Sequence, residues 1–156
     1  MTKTLFRILI LPLAVLLNST CLLSQTARSE RQDNLQQQKV AFFNEKLQLT
    51  AEESSKFWPV YNDFQNRRDK ITRDRNTLLQ YFEANQVNMT EDEAKIMIAK
   101  YVGFQKEETL LLETYTEKFM LILPAKKVIR IYLVELEFKK WLLENLRQNK
   151  AQVPKN

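Results

Sequence analysis

Apolar residues recur every three or four positions along most of the chain, the spacing of one helix face. A first run reaches from about Asn34 through Lys46, with Val40, Phe43 and Leu47 on one side. A second continues to about Ala84 and carries Phe57, Val60/Tyr61, Phe64, Ile71, Leu78 and Phe82. A third carries Met97/Ile98, Tyr101, Phe104, Leu111/Leu112, Tyr115, Phe119 and Ile122. The last carries Val128, Ile131/Tyr132, Leu136 and Leu142/Leu143, to about Arg147. Asn85-Gln86-Val87-Asn88 and Pro124 punctuate the later runs. The pattern predicts four helices, two of them long, and short turns set neighbouring helices antiparallel as hairpins or a bundle.

Two of the helix starts match. Leu49, Thr50 and Glu53 are followed forty residues later by Met89, Thr90 and Glu93. Threonine with glutamate three residues on is the capping box: each side chain satisfies a backbone N–H at the other's position. The acids Glu91-Asp92-Glu93 therefore read as a helix N-terminus that favours negative charge. Asn88-Met89-Thr90 matches a glycosylation sequon, with Thr90 read as a cap. Pro59 stands about nine residues into the second helix, where its missing N–H and ring predict a kink near Ser55. On that basis Phe57, Trp58, Pro59, Val60 and Tyr61 set curvature and core, and are not themselves a binding site.

Composition sharpens the class. A 156-residue chain is large enough for one modest core. Gly103 is its one glycine, which argues for an all-α fold, since hairpins and phosphate-cradling loops depend on glycine. Before the helices, Lys3 and Arg7 accompany an apolar run from Ile8 to Leu17, followed by Asn18-Ser19-Thr20. The run is short for a membrane span and fits a secretory signal peptide over residues 1–24. Cleavage after Ser24 or after Ala27 fits, and Cys21 raises lipidation, although no small residue precedes it. A flexible leader over 25–33, a helical domain over 34–149 and a polar tail over 150–156 complete the organisation. Export places the protein in the periplasm. Loss of Lys3 and Arg7 leaves 22 cations against 19 acids, so the net charge falls from +5 to +3. That surplus does not call for a nucleic-acid partner.

The chemistry of catalysis is thinly represented. The chain has no histidine, hence no Ser–His or Cys–His pair, and no glycine-rich phosphate loop. Neither a cofactor nor a small-molecule substrate is implied. The pairs Glu107-Glu108 and Glu135/Glu137 read as solvated helix faces. Arg67, Arg68, Lys70, Arg73 and Arg75 place five cations in nine residues. One reading pairs Asp63, Asp69 and Asp74 locally with Arg67 and Arg73. The other notes that Arg68 and Arg75 interrupt the apolar stripe, a mixture suited to gripping unfolded chains. Lys126, Lys127 and Arg130 form a second basic cluster, where cations oppose the helix dipole and suggest an external partner. Membrane-surface binding is the remaining alternative, but the apolar stripes have partner helices to meet.

The paired Leu/Met-Thr-x-x-Glu starts in a small exported helical protein resemble the Spy/CpxP-like periplasmic proteins, which carry a twice-occurring Leu-Thr-x-x-Gln motif. Lys39-Val40-Ala41-Phe42-Phe43 and Phe57 to Asn62 resemble the Bacteroidetes-type branch, whose members are described as sensors linked to extracytoplasmic-function sigma factors. The resemblance covers roughly Gln38 to Arg147. It implies a four-helix protomer with a long bent hairpin that dimerises into a curved cradle. It further implies an ATP-independent chaperone for unfolded or misfolded envelope proteins, or an accessory regulator of envelope stress. The alternative partner is the ectodomain of one membrane-bound regulator in a sigma/anti-sigma system. Some relatives sense metals, but the absence of histidine and the scatter of Met89, Met97 and Met120 argue against a metal site here. Glu53 and Glu93 also stand where glutamine is usual.

Overall fold

The computed structural model describes Glu30 and residues 33–151, with side chains through Gln148. Among the described residues the chain is all-helical, with four helices and no strand. These are α1 over 33–47, α2 Ala51–Asn85, α3 Glu91–Met120 and α4 Ala125–Ala151. The expected signal peptide, both cleavage positions, Cys21, the leader apart from Glu30 and Asp33, and the tail after Ala151 lie outside the described residues. The last helix runs four residues beyond the expected end at Arg147.

The chain divides into two compact units, Met1–Phe43 and Asn44–Asn156. In the first, Gln38 donates to the Asn34 side-chain oxygen at 2.9 Å, and the Lys39 ammonium lies 5.6 Å from the centre of the Phe43 ring.

In the second unit, α2 and α3 form an antiparallel hairpin. Receding from their connecting turn, Arg75 meets Glu108, Asp63 meets Tyr115, and Phe57 packs at a tilt near Phe119 with ring centres 5.6 Å apart. Across the next turn, Thr116 bonds the Tyr132 hydroxyl, so α4 is antiparallel to α3. Helix α4 runs parallel to α2, since Lys127 meets Glu53 and Glu135 meets Arg68 further along both helices. The helix assignment continues through Pro59, which does not divide α2.

The core lies at one end of this unit. Leu47, Phe57, Tyr61, Phe64, Tyr115, Phe119, Ile131 and Val134 are almost fully buried. Rings supply much of it, with Phe64 5.3 Å from Tyr115 and edge-on to Phe119 at 6.0 Å. Such tilted and edge-to-face pairs add to the burial of large apolar area. Toward the α2–α3 turn the core stops. Ile71 on α2 and Tyr115 on α3 are its last members, and no residue between them in sequence is buried.

Several apolar assignments need correction, since Phe82, Ile98, Tyr101 and Leu112 on the hairpin and Leu143 on α4 are exposed. Leu136, expected on the core stripe of α4, is exposed, and Val134, Glu135 and Phe138 face inward instead. Aliphatic residues stand on two sides of this helix, so apolar spacing alone does not identify the buried one. Ile122, assigned to α3, lies in the turn after it: Leu123 N–H closes on the Phe119 carbonyl at 2.8 Å, and Pro124 then accepts the first bonds of α4.

Candidate binding surface

The first helix start is a structural joint. Helix α1 ends in a left-handed residue, Gln48, with φ 49°. Leu49 N–H returns to the Asn44 carbonyl at 3.1 Å and Gln48 N–H to Glu45 at 3.2 Å, the paired bonds of a Schellman ending. Thr50 then opens α2 with both capping-box bonds in place: Glu53 N–H donates to Thr50 Oγ1, and Thr50 N–H donates to Glu53 Oε2 at 2.9 Å. The Asn44 side-chain oxygen accepts from Ser54 and from the Trp58 indole, each at 3.1 Å. Half-buried Trp58 also packs edge-on against Phe57 and Tyr61. The aromatic run thus belongs to the joint and the core.

The second basic cluster belongs to the same joint. Lys127 Nζ donates to the Gln48 carbonyl and to Glu53, each at 2.7 Å. Arg130 Nε donates to the Lys46 carbonyl at 2.8 Å. These cations stand at the carbonyl end of α1, where positive charge is favoured. Reading them only against the dipole of their own helix suggested an external partner; their partners are internal. Lys126 is exposed and forms no ion pair among the described residues. Glu53 is consequently held below the usual carboxylate range, first by Lys127 and then by the Thr50 amide.

Thr90 and Glu93 form the same capping box at the far end of the hairpin. Among the described residues, Glu93 has no cation corresponding to Lys127. Its carboxyl is lowered chiefly by the Thr90 amide. One motif therefore builds a tied corner and an open one.

The first basic cluster divides. Arg67 pairs with Asp63 at 3.2 Å and Lys70 with Asp74 at 2.6 Å, both four residues apart and exposed. Arg73 is exposed and forms no ion pair among the described residues. The two arginines that interrupt the stripe turn inward. Arg68 reaches Glu135 at 2.9 Å while its guanidinium lies 5.1 Å from the centre of the Phe64 ring. Arg75 reaches Glu108 at 2.8 Å. Glu135 and Glu108 are thus not the solvated carboxylates expected.

Glu135 is the polar centre of the packed end. Tyr61 donates to its Oε1 at 2.9 Å and Gln65 at 2.7 Å, while Arg68 takes Oε2. A buried carboxylate persists only when such partners replace water. Burial, reinforced by the Glu135 charge, pushes the Tyr61 phenol well above its ordinary range. Tyr115 is raised by burial and by its bond to Asp63. Asp63 is lowered in turn, by Tyr115 and then Arg67. A hydrophobic period cannot reveal the Glu135 cluster. Its only sequence signal is that Tyr61, Gln65 and Arg68 share a helix face at spacings of four and three.

What remains open is the outer part of the hairpin. Leu79, Tyr81 and Phe82 on α2, with Ile96, Ile98 and Val102 on α3, are exposed large apolar residues. Leu78, Tyr81, Ile96, Met97 and Phe104 line a groove of about 490 Å³ between the two helices, edged by Asp74, Glu93 and Lys100. Its character is apolar with a charged rim, the composition of a binding surface. Among the described residues no group of three or more His, Cys, Asp or Glu side chains is arranged to hold a metal. No described helix is long and apolar enough to cross a membrane. Compared with family models, with curated proteins and with solved structures, the chain finds no match.

Proposed function

We propose that this is an exported, non-enzymatic binding protein of Spy/CpxP type, which shields apolar segments of unfolded envelope proteins without ATP and works as a dimer. One observation carries the reading: the long α2–α3 hairpin keeps no buried residue from Thr72 through Thr114, yet presents Leu79, Tyr81, Phe82, Ile96, Ile98 and Val102 to solvent. An open apolar groove with acids and a lysine on its rim suits extended chains of varied sequence, because apolar contact is non-directional. The matched capping boxes serve the scaffold that carries this surface.

The test is suppression of aggregation of unrelated unfolded proteins at near-stoichiometric ratio. Tyr81→Glu and Ile96→Glu, both at exposed groove positions, should abolish it with helicity intact. Reversal of Arg68 or Arg75 is a poor probe, since each holds an internal ion pair. Absence of suppression, together with tight binding to one regulator ectodomain, would favour the sensor reading instead.

A further inference from the structure

The groove between α2 and α3 does not end at Asp74. A second cavity of about 360 Å³, lined in part by Ile71 and Leu111, continues it away from the α2–α3 turn. On α2, Arg67, Lys70, Asp74, Leu78 and Tyr81 follow at intervals of three or four residues, so both cavities open on one face of that helix. The two ends differ in charge. Arg67, Lys70 and Lys118 edge the inner cavity against Glu107, whereas Asp74 and Glu93 edge the outer groove against Lys100. Arg67 gives only its Nε to Asp63, and its terminal nitrogens bond nothing among the described residues. Lys118 is exposed, lies 4.2 Å from the centre of the Tyr115 ring and forms no ion pair among the described residues. Lys70 meets Asp74 at 2.6 Å where the cavities join, which offsets the acid between them. Beneath this rim Ile71, Leu78, Met97, Phe104 and Leu111 are buried or half-buried.

The geometry points to a binding site for a single-chain anionic amphiphile, a fatty acid or a lysophospholipid. Its head lies among Arg67, Lys70 and Lys118, and its alkyl chain runs along the groove toward the turn. The opposite orientation would set the negative head beside Glu93. Length agrees with this placement. Lys70 and Tyr81 are about 16 Å apart along α2 at 1.5 Å per residue, and one acyl chain reaches about 15 Å, half of a ~30 Å hydrocarbon core. A guanidinium with two ammonium groups suits a carboxylate or a phosphate. A protein client would share the outer half of this site but is not needed for it, so the inference goes beyond the proposed function.

Isothermal titration calorimetry of the purified protein tests the site. The probes are palmitate and palmitoyl-lysophosphatidylglycerol below their micellar concentrations, with hexadecyltrimethylammonium as the cationic counterpart. One anionic molecule per chain is expected, bound at least about tenfold more tightly than the cation. Preference for one anion assigns the head as carboxylate or phosphate. Lys118→Glu should weaken the anions about tenfold, and Lys139→Glu, the same change at an exposed position on α4, should not. Ile96→Glu, at the tail end, should weaken them as well. Equal binding of the cation, or indifference to Lys118→Glu, overturns the head assignment, and no binding of either anion overturns the site. Suppression of aggregation without amphiphile binding overturns this inference and leaves the client reading standing; amphiphile binding without suppression does the reverse.

Discussion

Replacing Arg68 with alanine tests whether Glu135 is a buried partner or a surface charge. The guanidinium is 2.9 Å from Glu135 Oε2, with side-chain exposures of 24% for Arg68 and 10% for Glu135. Removing one member of a buried pair costs about 3–5 kcal/mol, because the other charge is left without compensation. The quarter-exposed arginine lets some water replace it, which lowers the figure. Loss of the guanidinium over the Phe64 ring at 5.1 Å returns about 0.5–1 kcal/mol to it. Together these place Arg68→Ala at roughly 2–4 kcal/mol. Arg67→Ala, which removes only the exposed pair with Asp63, should cost about 0.3–0.5 kcal/mol. Apolar replacement of both partners, Arg68→Met with Glu135→Leu, should not be neutral here, since the Tyr61 hydroxyl also depends on Glu135. A buried hydroxyl without an acceptor costs about 1–3 kcal/mol, and adding Tyr61→Phe should recover it. Urea unfolding followed by far-UV circular dichroism reads all of these variants. If Arg68→Ala falls within about 0.5 kcal/mol of Arg67→Ala, the pair behaves as a surface ion pair and the buried-centre account is wrong.

Three further outcomes follow from the joint and the tyrosines. Gln48 holds the left-handed position that ends α1, so Gln48→Gly should be neutral or stabilising, while Gln48→Val should lose about 1 kcal/mol or more in the same titration. Glu53 and Glu93 have folded-state pKa values below the ordinary 4.5. Their contribution is full above that value and is lost as pH falls through the depressed ones. Melting temperature should therefore drop on acidification, and Glu53→Gln should flatten the drop more than Glu93→Gln, because only Glu53 also holds Lys127. Tyr61 and Tyr115 are raised above the ordinary 10, so their contribution is full below that value and is lost as pH rises toward the raised ones. Spectrophotometric titration should show two phenols that ionise only as the helical signal collapses.

The helices, their antiparallel order and both capping boxes were legible because they are local: spacing, a threonine and a glutamate suffice. Tyr61, Phe64, Tyr115 and Phe119 are core by spacing and by burial alike, being large residues on unambiguous stripes. Legibility failed on α4, where apolar residues on two sides made Leu136 look internal and the carboxylate of Glu135 look external. Whether a charge faces inward depends on donors that fold back from α2, some seventy residues away. Lys127 and Arg130 are illegible for the same reason, since the carbonyls they meet, Gln48 and Lys46, lie at the end of another helix. The candidate surface is not legible in the sequence, because its residues keep the spacing of a buried helix face. The spacing of Leu78, Phe82, Ile98 and Tyr101 is that of a core stripe, yet none of the described residues from Thr72 through Thr114 is buried.

Photo-crosslinking from the groove to an unfolded client tests the central claim most directly. A crosslinking residue in place of Tyr81 should capture the client at near-stoichiometric yield, while one in place of Thr50 at the tied corner should capture little. Equal capture at both positions, or none at Tyr81, would contradict the assignment of the outer hairpin as the working surface.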